Sequence, residues 1–404
     1  MKTDQEIKAI IDQHRPLKGA TIPTDIKSRL GAAHVAGKYF FTNEPFVIEG
    51  SKKLSELGYG VLKLWFRKIP AGIEGAPDHD ASCGYPYNSD WNVGNNITLK
   101  ELAEHPYFAT CFDLPFSTFV LSVQGAGLQT TSESAAAEEQ EMYELVRFLL
   151  EKYRHRDVTF ILQNWEGDWM LRGGIYDEAR WSLTPGELIE VLEGQRYTSP
   201  VPADVPERVQ RMSDWFRARQ SGVNRARNEA GEGKCKVYHA IEANKVLDCM
   251  GNIPGIVSHV LPQLEVDMVS WSCYEALTPD GVDLYKGVEY IKQHMQPTQY
   301  MNGQKKVFIG EIGVPEQRYV GLTEKDQVQN AWDIYTAVCL ALDIPYLIVW
   351  ELFCNEPLDS RFRMSNNIQK KEDLMGFWLV RPDNSLSFTG EYFESLLKRS
   401  VKIK

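Results

Sequence analysis

Two glutamates stand at the ends of short apolar runs: Glu166 closes Phe160-Ile161-Leu162-Gln163-Asn164-Trp165-Glu166, and Glu311 lies within Val307-Phe308-Ile309-Gly310-Glu311-Ile312-Gly313. A carboxylate at the end of a buried strand costs free energy unless it is paired or put to chemical use, and two in matching positions suit a nucleophile and a proton donor. Cleavage of a glycosidic bond needs that division of labour. One ionised carboxylate attacks the anomeric carbon while a protonated carboxyl, about 5 to 5.5 Å away in a retaining enzyme, hands its proton to the leaving oxygen. Salt-bridged strand ends are the competing reading for each glutamate. Trp165 and Trp169 flank Glu166, so desolvation is expected to raise its pKa. Glu242, in Ala240-Ile241-Glu242-Ala243-Asn244, is the reserve proton donor. A ligand-binding or ion-paired carboxylate is the preferred reading of Glu242.

Elements that could position these groups recur along the chain. Strand-like runs fall at Ala33–Phe41, Tyr59–Phe66, Ser117–Gln124, Val158–Gln163, Lys236–Ile241, Val266–Trp271, Lys306–Gly310 and Tyr346–Trp350. Helical periodicity lies between and after them, at Val47–Leu57, Leu99–His105, Ser134–Tyr153, Ala203–Glu229, Asn252–Leu264, Leu284–Met295, Glu324–Leu342 and Thr389–Lys398. Repeated β-then-α order implies parallel strands, and eight such units match a closed (β/α)8 TIM barrel, an α/β fold. A doubly wound open sheet is the alternative. Residues 1–30 are read as an N-terminal appendage packed on the barrel, and 31–404 as a single barrel domain. Active sites of such barrels open at the carboxyl ends of the strands. The long loops there carry Tyr85, Tyr87 and Trp91 after the second strand, and Trp169, Tyr176 and Trp181 after the fourth. Aromatic rings of this kind stack on the C–H faces of sugars, although each could equally pin its own loop.

Composition narrows the function classes. The 404 residues carry 55 acidic and 44 basic side chains, a formal charge of -11, with no dense basic stripe. Nucleic acid and anionic membranes are therefore not expected partners. No apolar stretch approaches membrane-spanning length. Seven cysteines without metal-ligand or Cys-x-x-Cys spacing lean toward a reducing, cytoplasmic setting, with an exported protein freed of its signal as the alternative. The eight histidines are scattered and Asp78-His79-Asp80 has no companions, so neither metal nor cofactor is expected. The sequence does not name an oligomeric state.

Taken together, these segments resemble the clan of retaining glycoside hydrolases that includes the cellulase-like family 5 enzymes, over most of the barrel. The run Lys306 to Gly313 is similar to the family's nucleophile segment and implies Glu311 in that role. Trp350 resembles the family tryptophan that floors the subsite beside the scissile bond. In Trp271-Ser272-Cys273-Tyr274, Tyr274 stands where the family has a tyrosine hydrogen-bonded to the nucleophile, and Trp271 is placed with the substrate-binding set. Three positions depart from the pattern. Lys63 replaces an arginine, keeping charge but not the planar fork. Ser272 replaces a histidine. Asn164-Trp165-Glu166 replaces an Asn directly followed by the acid/base Glu. Asn164 is expected to bind the sugar hydroxyl next to the reacting carbon, Lys63 and Tyr274 to keep Glu311 ionised, and Gly167 to let the backbone swing Glu166 into the cleft. The resemblance implies a retaining O-glycosyl hydrolase acting on an oligosaccharide or glycoside, and the sequence names neither the sugar and linkage nor an exo or endo mode. A barrel that binds carbohydrate without catalysis is the alternative, motivated by the displaced Glu166 and by Ser272. A barrel lyase or isomerase using Lys63 ranks third.

Overall fold

The computed structural model describes residues 2–66, 97–123, 132–172, 203–317, 324–359, 368 and 370–401. Eight strands form one closed, all-parallel barrel: β1 (Leu30–Ala33), β2 (Val61–Phe66), β3 (Thr118–Val123), β4 (Thr159–Gln163), β5 (Lys236–Ala243), β6 (Met268–Ser272), β7 (Lys306–Ile312) and β8 (Leu347–Val349). Each strand pairs with its neighbours in sequence, and β8 closes on β1 through Leu30 opposite Leu347. Helices follow the strands, among them Phe46–Glu56, Ser132–Lys152, Val205–Ala230, Val282–His294, Lys325–Ala341 and Phe388–Val401. This is the (β/α)8 barrel that the alternation of elements predicts. Strands covered on both faces need near-continuous apolar sequence, and β2, β3 and β7 are buried almost throughout.

Register decides which side chains enter the barrel. In a parallel sheet, laterally paired residues share a face, and faces alternate along each strand. Trp65 pairs with Ser122, Ser122 with Gln163, Gln163 with Ala240 and Glu242 with Ser270, so these positions form one inward-facing set. Lys63, two residues before Trp65, belongs to it as well. Trp271 lies between Ser270 and Ser272 and therefore points the other way. Its fully buried ring packs on Gly287 of helix Val282–His294, where an added Cβ would come within 2.2 Å of it. Trp271 is thus a barrel-to-helix packing residue, which corrects its placement in the substrate-binding set.

Two other expectations are corrected. The first strand runs over Leu30–Ala33 rather than Ala33–Phe41. Gly31, Ala32 and Ala33 have little β-propensity, but small residues fit where a Cβ on residue 31 would come within 2.6 Å of the Val61 side chain. Between Asn252 and Leu264 there is no continuous helix. A short helix ends at Met250, and only single turns, Ile256–Val260 and Leu261–Gln263, follow among Pro254, Gly255 and Pro262. The N-terminal helix Asp4–Gln13, capped by a Thr3–Glu6 capping box, buries Ile7 and Ile11. Beyond it, Arg15 Nε meets Asp333 Oδ2 at 2.7 Å and the Leu17 N–H donates to Asp333 Oδ1 at 2.7 Å, docking this segment on helix Lys325–Ala341.

Candidate active site

Lys63 is the hub of the site. It is wholly buried inside the barrel, and all three protons of its ammonium have acceptors: Glu242 Oε1 at 2.9 Å, Glu311 Oε1 at 2.7 Å and the Gly310 carbonyl at 3.0 Å. Burial works against the charge, but Glu242 and Glu311 outweigh it and raise the lysine above its ordinary value. Three strands far apart in sequence, β2, β5 and β7, are thereby joined by one cation.

Glu311 sits where β7 slips register against β6, between the Trp271 and Ser272 pairings. The slip is a local bulge that re-aims a side chain at a barrel mouth. Its second oxygen accepts from the Tyr274 hydroxyl at 3.5 Å. Burial pushes Glu311 up to about 7, against the pull of Lys63 and Tyr274 and with a further push from Glu242. Lys63 and Tyr274 do act in the expected direction, but desolvation exceeds them. Gly310 is required by the approach: a Cβ there would meet Ser270 Oγ at 1.8 Å and Glu242 Oε1 at 3.0 Å.

Glu166 follows β4 after the inserted Trp165. Its backbone takes a left-handed φ of 26°, so the sharp turn falls on Glu166 itself and not on Gly167. Gly167 begins the helix Gly167–Arg172 and serves a different purpose, since a Cβ there would lie 2.8 Å from the Glu242 carbonyl. The left-handed region costs a non-glycine residue about 1 kcal/mol. That cost is offset by a hydrogen bond from the Glu166 N–H to Glu242 Oε2 at 3.0 Å. Burial first, then the charges of Glu311 and Glu242, raise the Glu166 carboxyl well above the ordinary range. Lys245 and a hydrogen bond from the Trp169 side chain pull the other way. Lys245 Nζ also lies 4.7 Å from the centre of the Trp169 ring. Trp169, expected to touch substrate, is therefore first a wall and a donor for Glu166.

Asn164 has a different place from the one expected, and of the two roles read for Glu242 the structure shows the ion-paired one. Glu242 Oε1 accepts from Lys63, from Gln163 Nε2 at 2.8 Å and from Ser270 Oγ at 3.2 Å, and the side chain is wholly buried. With its other oxygen on the Glu166 N–H, it is an interior ion-paired carboxylate beneath the mouth rather than a substrate ligand. Asn164 spends its amide on the Glu242 backbone, Oδ1 accepting from the Glu242 N–H at 2.8 Å and Nδ2 donating to the Glu242 carbonyl at 3.0 Å. It fastens β4 to β5 where a sugar contact was expected.

An indole group completes the mouth. Trp350, at the end of β8, has its ring centre 6.4 Å from that of Trp65, which lies 6.5 Å from that of Trp165. The peptide between Trp350 and Glu351 is cis. Trp65, Gln163 and Ser270 were not among the sequence candidates. Alternation offered a signal for them: Trp65 lies two residues beyond Lys63, and Gln163 and Ser270 are polar residues in otherwise apolar strands. Tyr85, Tyr87, Trp91, Tyr176, Trp181, Cys83 and the Asp78-His79-Asp80 run lie outside the described residues. Among the described residues there is no cluster of metal-ligand side chains, and no helix is long and apolar enough to cross a membrane. The six described cysteines are buried thiols.

No protein-family model matches the chain, and no curated protein matches it. Among solved structures, it is similar to a GH5_18 protein from Bifidobacterium longum subsp. infantis, with 12% identity and a TM-score of 0.49 over 92% of this chain and 78% of that one. It is also similar to a GH5_18 protein from Streptomyces cattleya in complex with GlcNAc, with 11% identity and a TM-score of 0.48 over 93% and 81%. A third likeness is to a GH5-4 broad specificity endoglucanase from Clostridium longisporum, with 10% identity and a TM-score of 0.49 over 95% and 99%. At such identities the reading of the chemistry rests on the site itself.

Proposed function

We propose that this protein is a glycoside hydrolase that cleaves an O-glycosidic bond of an oligosaccharide or glycoside with retention of anomeric configuration. The observation that carries the reading is the division between two carboxyl groups at one barrel mouth: Glu166 is biased toward its protonated form, while Glu311 is braced by a lysine and a tyrosine hydroxyl. In the first step a Glu311 oxygen bonds to the anomeric carbon as the bond to the leaving oxygen breaks, and the Glu166 proton passes to that oxygen. In the second, Glu166 takes a proton from water, the remaining hydroxide oxygen bonds to the anomeric carbon, and the ester to Glu311 breaks. Trp350 and Trp65 offer apolar faces to a sugar ring, and neither step draws on a metal or an organic cofactor.

A panel of aryl glycosides, with the product anomer followed by proton NMR, tests this proposal. Turnover with the configuration first retained supports it. First formation of the inverted anomer would assign the carboxylates to a single-displacement mechanism with a separation of about 6.5 to 9.5 Å. Saturable sugar binding without turnover would put the carbohydrate-binding barrel first.

A further inference from the structure

Glu242 is bound on every side to the two arms that carry the proposed catalytic carboxyls. Toward β4, its backbone is held by Asn164, its Oε1 by Gln163 and its Oε2 by the Glu166 N–H, while Gly167 leaves room for its carbonyl. Toward β7, it shares Lys63 with Glu311, and Gly310 leaves room for its carboxylate. From β6, Ser270 donates to it. We infer that Glu242 is a positioning residue that couples the two catalytic carboxyls, holding the backbone of Glu166 in its left-handed turn and balancing Lys63 when Glu311 loses its charge. This rests on the reading of Glu311 as nucleophile and Glu166 as proton donor.

The charge balance gives the coupling its chemical sense. In the free protein Lys63 lies between two carboxylates. Once Glu311 becomes a glycosyl ester it carries no charge, and Glu242 alone remains to pair with the buried ammonium. An unpaired buried ammonium would be costly, so Glu242 favours formation of the ester. Its charge also bears on both partners in the same direction, raising Glu311 and Glu166 alike. The other groups facing this pair are Lys63 and Tyr274 beside Glu311, and Lys245 and Trp169 beside Glu166.

The test is the pH dependence of kcat/KM on a glycoside that the wild type turns over. In Glu242→Gln the lost charge lets both carboxyls ionise more readily, so the ascending limb, set by Glu311, and the descending limb, set by Glu166, should both move to lower pH by about one pH unit. Glu242→Asp keeps the charge but draws it back by one methylene, and should shift both limbs in the same direction by less. If Glu242→Gln does not fold, the aspartate variant supplies the same readout. Limbs that stay in place, or only one that moves, would overturn the coupling while leaving the proposed function standing. A wild type without turnover on any glycoside would instead remove the function on which the coupling rests.

Discussion

Glu311, Glu166 and Lys63 each make a separable contribution, and each can be removed alone. Glu311→Gln keeps the shape of the side chain but cannot attack. Turnover should fall by orders of magnitude with sugar affinity largely retained, as measured by kcat and by calorimetric titration. More than about a tenth of wild-type activity would leave a factor worth under ~1.4 kcal/mol, too small for a nucleophile. Glu166→Ala should slow glycosides with basic leaving groups far more than activated aryl glycosides, and added azide should restore the slow second step. A loss independent of the leaving group would remove Glu166 as proton donor. For Lys63→Met the sign follows from the ion pairs. Glu311 rises to about 7 through burial even with the ammonium pulling it down. Without Lys63, two buried carboxyls would face each other and Glu311 would keep its proton to higher pH. Since the nucleophile must be ionised, the ascending limb of kcat/KM should move above the wild-type position, opposite in direction to Glu242→Gln.

Among the elements, β4, β5 and β7 form a clamp whose closeness depends on glycines. A Cβ at residue 310 would lie 1.8 Å from Ser270 Oγ and 3.0 Å from Glu242 Oε1, so Gly310→Ala must push β6 or the Glu242 carboxylate aside. Overpacking of this kind costs about 1–3 kcal/mol. The variant should unfold at lower denaturant concentration and lose activity together, because Glu242 holds Lys63 and Ser270 donates to Glu242. Unchanged stability with full turnover would show that the clamp has slack. The register slip of β7 against β6 serves the same end, turning Glu311 toward Tyr274.

For the whole molecule, the N-terminal segment is tied to the barrel's helical shell through a buried charge. Asp333 has no exposed side-chain surface and is met by Arg15, by the Leu17 N–H and by the Tyr392 hydroxyl at 3.4 Å. Removing the cation leaves the carboxylate buried with neutral donors only, so Arg15→Ala should destabilise the fold by roughly 3 kcal/mol. Chemical denaturation would measure it. Because this contact lies on helix Lys325–Ala341 in the outer shell and Glu311 on a barrel strand, kcat at temperatures well below unfolding should stay near the wild-type value.

The sequence by itself determined the alternation of strand and helix, and hence the closed barrel, because apolar runs and helical periods are local patterns. It also placed Glu166, Glu311 and Trp350 at or just past strand ends, which share one mouth since parallel strands present their carboxyl ends together. The tertiary structure decided what those residues touch. Lys63, Glu242 and Glu311 meet only through the register of strands separated by up to 248 positions. A one-residue shift of register exchanges inside for outside, so Trp271 could be a sugar platform or a packing residue until its pairing was known. Glu242 became an interior anchor and Asn164 a strand fastener for the same reason. Their hydrogen-bonding groups are satisfied by neighbours that no local pattern specifies, and satisfying them is what makes burying this much charge tolerable.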